Sequence, residues 1–238
     1  MDLLKTTLSD IKKDLEQNAD TQYRDKIGEY FSMDVKNYLG VRIPLVRKIG
    51  NKYYKNIKNL NLDRIIEFCE LLLSTNIYEH KVIAFQYMYK QKKHYRKKDF
   101  KLLEGWLKTY VDDWSDCDDL CTHSLGYFVH AYPEYLPKLK KWAVSKNRWL
   151  RRASAVTLIY SIRRGQHLEE IFGIALMLLR DKDDLVQKGY GWMLKEASKQ
   201  YPDQVFEFIM ANKSEMPRTA LRYAIEKMPL KYKKQAMK

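Results

Sequence analysis

The chain has 238 residues, of which 45% are hydrophobic and 31% charged, with 9 Gly and 6 Pro. That is enough to bury a substantial core, and it excludes collagen-like, low-complexity and wholly disordered classes. Lys and Arg number 44 against 30 Asp and Glu, a formal charge of +14, which bears on partners rather than fold: nucleic acid first, an anionic membrane surface second. Cys69, Cys117 and Cys121 are too few for a disulfide framework, and free thiols fit a reducing cytosol. Cys117 and Cys121 stand as CxxxC without a CxxC pair, which gives a zinc site little support. The N-terminal Met-Asp-Leu-Leu-Lys-Thr-Thr-Leu-Ser-Asp lacks the apolar core of a signal peptide. No run reaches the roughly 18 uncharged apolar residues of a membrane span. A cytoplasmic protein is the expectation.

Apolar residues recur at spacings of three and four. They predict helices at 3–17, 22–32, 43–56, 62–74, 78–93, 98–110, 115–130, 134–145, 149–162, 168–180, 184–200, 203–212 and 217–227. No strand pattern stands out. The helices pair as 98–110 with 115–130, 134–145 with 149–162, and 168–180 with 184–200, joined by short polar linkers. Pairs repeating every 35–40 residues predict an all-α fold, an α-solenoid of HEAT-like helical repeats; an irregular helical bundle is the alternative. A single domain, 1–238, is expected, with Lys90–Lys98 as the best linker candidate.

The charge is unevenly spread. Tyr135–Leu168 holds no Asp or Glu, yet includes Lys138, Lys140, Lys141, Lys146, Arg148, Arg151, Arg152, Arg163 and Arg164, with Trp142 and Trp149 interleaved. A random surface of this composition would mix signs; the acid-free basic stretch is either a plain solvated face or, with its interleaved tryptophans, a surface that fits a phosphate backbone. In helix 184–200, Val186, Tyr190, Met193, Ala197 and Tyr201 are spaced as a buried stripe. Lys188, Trp192, Lys195 and Lys199 follow on another face. Trp192 either packs on lysine stems or presents an aromatic surface to nucleic acid between phosphate-binding lysines.

The opposite sign is dense in one place. Val111–Leu120 contains Asp112, Asp113, Asp116, Asp118 and Asp119 and no cation. Helix capping accounts for some of them, among Asp112, Asp113 and Asp116. Asp118, one turn beyond Trp114, is not so explained. A carboxylate on a phosphate-binding surface needs another purpose, and stabilising a developing cation is one.

Several segments resemble one family. Trp114-Ser-Asp-Cys-Asp118 is similar to the Trp-x-x-x-Asp element of the AlkD-like DNA alkylation repair family, whose members are HEAT-like repeat DNA glycosylases. Arg148-Trp-Leu-Arg-Arg-Ala153 resembles its Trp-Leu-x-Arg-Ala helix start, and Lys188-Gly-Tyr-Gly-Trp-Met-Leu-Lys195 its Lys-x-x-Gly-Trp-x-Leu-Arg helix. Leu39-Gly-Val-Arg-Ile-Pro44 and Arg222-Tyr-Ala-Ile-Glu-Lys227 extend the match over nearly the whole chain, in order.

The resemblance implies helical repeats curved around a basic concave cleft for duplex DNA. It implies removal of 3-methyladenine and 7-methylguanine without metal, cofactor or a deep base pocket. By position, Asp118 is then the catalytic carboxylate, Trp114 and Trp192 the aromatic pair at the lesion's deoxyribose, and Arg152 a support for site and backbone. Arg148, Arg151, Lys188, Lys195, Lys199, Lys146 and Arg42 are the expected DNA contacts. Double-stranded DNA with alkylated bases is the expected partner of a monomer with no obligate protein partner and no membrane. Lys195 stands where the family pattern has Arg, losing a bidentate fork. Tyr160 stands where a Lys is expected, and the family's N-terminal tyrosine aligns with Phe31 or Tyr30.

The residue types suit that chemistry. An N3- or N7-alkylated purine already carries positive charge and leaves without a general acid. The remaining barrier is an oxocarbenium-like sugar, which a carboxylate near C1′ stabilises while orienting or deprotonating water. Aromatic faces add cation–π attraction of about 0.5–2 kcal/mol each. Two other readings share the basic residues: a non-catalytic HEAT-like protein that binds distorted or branched DNA, and a helical scaffold for acidic proteins or RNA. His80, His94, His123, His130 and His167 form no HExxH or triad pattern, and no nucleotide fingerprint is present.

Overall fold

A computed structural model describes residues 2–31 and 34–238. The chain divides into two compact units, up to Arg96 and from Lys97 onward; the boundary lies within Lys90–Lys98, the linker candidate of a chain read as a single domain. Among the described residues every regular element is helical.

The first unit holds α1 (Leu3–Gln17), α2 (Thr21–Phe31), α3 (Ile43–Ile57), α4 (Leu62–Leu73) and α5 (Tyr78–Lys90). α1 starts where Asp2 accepts the Leu4 N–H at 3.1 Å, and it buries Leu4, Thr7, Ile11 and Leu15. That spacing is one helix face. α4 starts where Asn61 accepts the Arg64 N–H at 3.0 Å. α1, α3, α4 and α5 pack on one another, whereas α2 buries none of its residues. α5 ends at Lys90, short of the expected 93, and gives way to a 3-10 turn at Lys92–His94.

The Leu39-Gly-Val-Arg-Ile-Pro44 motif has a structural explanation. The backbone N–H groups of Leu39, Gly40 and Val41 all donate to the buried Glu79 carboxylate, at 3.0, 2.8 and 3.0 Å. Gly40 has φ +84°, and a Cβ there would stand 2.1 Å from the Asp20 carbonyl oxygen, so only glycine fits. The turn leads into α3 with Arg42 at its N-cap and a proline in its first turn.

The second unit holds α6 (Asp99–Thr109) and α7 (Trp114–Asp119), then a π-helical segment Leu120–Leu125 that runs into α8 (Gly126–Ala131). After a 3-10 turn at Pro133–Tyr135 come α9 (Leu136–Ala143), α10 (Arg148–Val156) and α11 (Ile159–Ile162). α12 (Leu168–Leu178), α13 (Asp184–Ser198), α14 (Pro202–Asn212), α15 (Arg218–Ile225) and α16 (Leu230–Met237) complete it. The expected pairs form: α6 meets the π segment, α9 packs on α10, and α12 on α13. One layer runs α7, α10, α13, α15 and the other links α9 to α12. This is the packing of helical repeats.

Two helices read as continuous are interrupted. Helix 115–130 widens into the π segment, and helix 149–162 breaks at Thr157–Leu158. The interruptions meet at Gly126, where a Cβ would stand 2.5 Å from Tyr160 Cβ and 3.0 Å from the Thr157 carbonyl. α16 lies beyond the last expected helix and follows Pro229. Trp142 belongs to the core: it is buried, stacks on Phe100 at 5.8 Å and donates to Glu104 at 2.7 Å.

Glu79→Gln keeps the shape of the side chain but removes the charge that three backbone donors share. It is expected to destabilise the protein by about 2 kcal/mol, the worth of hydrogen bonds to a charged group. A urea midpoint equal to that of the parent would contradict the role.

Candidate functional site

The site is built on α7, α10 and α13 of the second unit. α7 begins at Asp113, whose carboxylate accepts the N–H groups of Ser115 and Asp116 at 2.6 and 3.0 Å. That cap orients the helix so that Trp114 and Asp118, four residues apart, lie on one face. α10 begins at Asn147, which accepts the Trp149 N–H at 2.8 Å, and α13 at Asp183, which accepts the Leu185 N–H at 3.0 Å.

Arg152 joins the three helices. Its Nε and Nη2 donate to the two oxygens of Asp118 at 2.9 and 2.8 Å. Its Nη1 donates to the Leu185 carbonyl on α13. The arginine side chain is 6% exposed and the aspartate 17%. α13 comes this close because residue 189 is glycine: a Cβ there would stand 3.1 Å from Arg152 Cγ. Burial pushes the Asp118 carboxyl above the usual carboxylate value, with Asp113 and Asp119 adding to the rise and the Arg152 charge opposing it. The bidentate pair holds the ionised form at neutral pH. Burial also pushes the neighbouring Cys117 thiol well up, so it is no nucleophile at pH 7.

Trp192 is half-buried on α13, and its indole N–H donates to Glu196 at 3.1 Å. Glu196 also accepts from Arg163 at 3.0 Å and Lys199 at 2.8 Å. Its side chain is 6% exposed. Burial raises its carboxyl, but hydrogen bonds from Arg163 and Lys199, the Arg163 charge and the indole N–H outweigh that and hold it at about 2. Sequence reasoning passed over Glu196. The available signal was its place, four residues after Trp192, the same spacing that drew attention to Asp118.

The expected phosphate contacts fall into two groups. Arg148 pairs with Asp183 at 2.7 Å, Arg151 with Asp181 at 2.6 Å, Lys188 with Asp184 at 2.9 Å, Lys195 with Glu226 at 3.0 Å and Lys199 with Glu196 at 2.8 Å. Arg151 also donates to the Ser145 and Lys146 carbonyls at 3.0 and 3.1 Å. Lys146 is exposed and, among the described residues, has no carboxylate partner. Arg42, in the first unit, is exposed with its guanidinium 4.1 Å from the Tyr23 ring centroid. Tyr30 and Phe31 end α2, 83% and 48% exposed and edge-to-face at 4.8 Å. Tyr160 is buried, with the Arg164 guanidinium 3.6 Å above its ring. The carboxylates of Asp112, Asp113 and Asp116 lie within 4.8 Å of one another, and Asp113 is already engaged as the α7 cap.

A carboxyl held low in the folded chain adds stability above its unfolded value and loses it as pH falls through the folded one. Glu196→Gln is therefore expected to be less stable than the parent at pH 7. The gap should close as pH falls from about 4.3, the usual glutamate value, to about 2. Urea midpoints of both proteins at a series of pH values measure this, and a gap independent of pH would contradict it.

The family model for DNA alkylation repair enzymes matches residues 11–228, which include residues of both units. A solved structure named as a predicted DNA alkylation repair enzyme from Enterococcus faecalis is similar, with TM-score 0.78 and 14% identity over 90% of this chain and 98% of that one. The protein smu.31 of Streptococcus mutans UA159 is similar with TM-score 0.58 and 18% identity, over 87% of this chain and 98% of that one. No curated protein matches significantly. At these identities the structural likenesses speak for the helical-repeat fold, and the model that matches most of the chain speaks for the family. The chain belongs to the DNA alkylation repair enzyme family.

Proposed function

We propose that the protein is a DNA glycosylase that hydrolyses the N-glycosidic bond of cationic alkylated purines, 3-methyladenine and 7-methylguanine, in duplex DNA. One observation carries this reading. Asp118 is held as a carboxylate by a buried arginine, yet part of its side chain stays within reach of solvent, one helical turn from Trp114.

In this reading the alkylated base departs with the bonding electron pair and becomes neutral. The sugar left behind carries the positive charge, which Asp118 stabilises from close by. Water adds at C1′, and Asp118 orients it and takes its proton. Trp114 and Trp192 offer aromatic faces to the cationic sugar. Arg152 holds Asp118 in place, and the chemistry asks for no metal or cofactor. Lys146 and Arg42 are the cations ready for phosphate. Arg148, Arg151, Lys188, Lys195 and Lys199 reach it by sharing or exchanging a carboxylate partner. We read the protein as a cytoplasmic monomer needing no protein partner, with buried cysteines suited to a reducing compartment.

The test is release of 7-methylguanine from a defined duplex. The parent should release it, and should leave hypoxanthine, a neutral lesion, in place. Asp118→Asn should lower the rate by about 10²-fold or more with DNA affinity retained. Excision of hypoxanthine as readily as 7-methylguanine would sink the proposal. A parent that binds DNA and releases nothing would favour a non-catalytic protein for distorted or branched DNA.

Binding should separate the two groups of cations. Lys146→Ala is expected to reduce the slope of log affinity against log salt by about 1. Arg151→Ala, whose head is tied to Asp181 and two carbonyls, should change the slope by less. The reverse order would contradict the assignment.

A further inference from the structure

The buried carboxylate of Glu196 has no part in the chemistry so far. It partly repeats, on α13, the arrangement at Asp118: an acid four residues after a tryptophan, bound by an arginine about one repeat away, 33 residues earlier in the chain for Glu196 and 34 residues later for Asp118. Trp192 donates its N–H to Glu196 Oε1 at 3.1 Å, which fixes the ring's rotation about the helix. Arg163 binds Oε2 at 3.0 Å and rests 6.0 Å from the centre of the same ring. Lys199 binds Oε1 at 2.8 Å. Two half-exposed cations therefore lie beside Trp192, and Glu196 is the anion that both are tied to.

A cationic sugar approaching the ring would be repelled by those cations. A carboxylate bound to both reduces the repulsion, and an indole whose N–H is given to an anion presents a more electron-rich face. We infer that Glu196 is a positioning residue for Trp192: it fixes the indole and shields its face from Arg163 and Lys199, so that the ring meets the positive charge developing on the sugar. This rests on the glycosylase reading above. The role predicts that chemistry and binding move apart. Losing Glu196 slows the reaction while freeing two cations for phosphate.

Glu196→Gln and Glu196→Ala test this against the parent. Glutamine keeps an oxygen to accept the indole N–H; alanine keeps neither oxygen nor charge. In single-turnover release of 7-methylguanine, the alanine variant should be slower by about 10²-fold, with the glutamine variant in between. Affinity for unmodified duplex should stay equal or become tighter. A folding defect alone would lower both, and circular dichroism checks for one. The indole N–H resonance, assigned among five tryptophans with Trp192→Phe, should move upfield in the alanine variant. An unmoved resonance, or release within two-fold of the parent, would overturn the inference. If the parent releases no base, the glycosylase reading fails on that result. The resonance then decides on its own whether Glu196 holds Trp192.

Discussion

A buried arginine is the constraint on which the second unit depends. Arg152 lies on α10 with 6% of its side chain exposed, and a guanidinium so placed must have its charge and donors matched. Asp118 on α7 answers the charge, and the Leu185 carbonyl on α13 takes a further donor. Three successive helices of one layer are thus tied through one side chain. Removing either partner of such a pair costs about 3–5 kcal/mol, because the other charge is left buried alone. Gly189 follows from the same constraint, since a methyl group there would press on Arg152.

The pattern recurs along the unit. Arg148–Asp183, Arg151–Asp181, Arg163–Glu196, Arg180–Glu215 and Lys195–Glu226 join residues 35, 30, 33, 35 and 31 apart. Each separation is about one repeat. Neutral bonds do the same work, as where the Tyr201 hydroxyl donates to the Gly165 carbonyl 36 residues away. Helical repeats contact only their neighbours, so polar stitching between them adds to the buried apolar stripes. The count of 44 Lys and Arg therefore overstates the cations free for phosphate, because many are already bound to carboxylates.

Much of this was legible in the sequence. The spacing of Leu4, Ile11 and Leu15, or of Val186, Tyr190, Met193 and Ala197, marks buried helix faces. The pairing of α9 with α10 and α12 with α13 follows from short linkers. Asp118 stood out as an acid one turn inside a helix beside a tryptophan. Other features depend on contacts remote in sequence. Nothing local marks the break at Thr157, which is set where Gly126 crosses it. Trp142 reads as one aromatic among lysines until Phe100 and Glu104 are beside it. The acid-free stretch from Tyr135 to Leu168 looked like a phosphate surface because the carboxylates of Asp181, Asp183 and Glu196 come from the next repeat. Glu196 was overlooked for the same reason: among lysines it reads as surface, and its burial is tertiary.

In the proposed mechanism Asp118 works as an ionised carboxylate and no general acid is needed. The pH dependence of single-turnover 7-methylguanine release addresses it most directly. A single acid limb is expected above the usual aspartate value of about 3.9, in the direction that burial moves Asp118. Above it the rate should be flat until the lesion loses its own N1 proton and with it the positive charge, and the acid limb should be absent in Asp118→Asn. A fall at lower pH than that would mean that a protonated group of the protein drives departure of the base, and would contradict this mechanism.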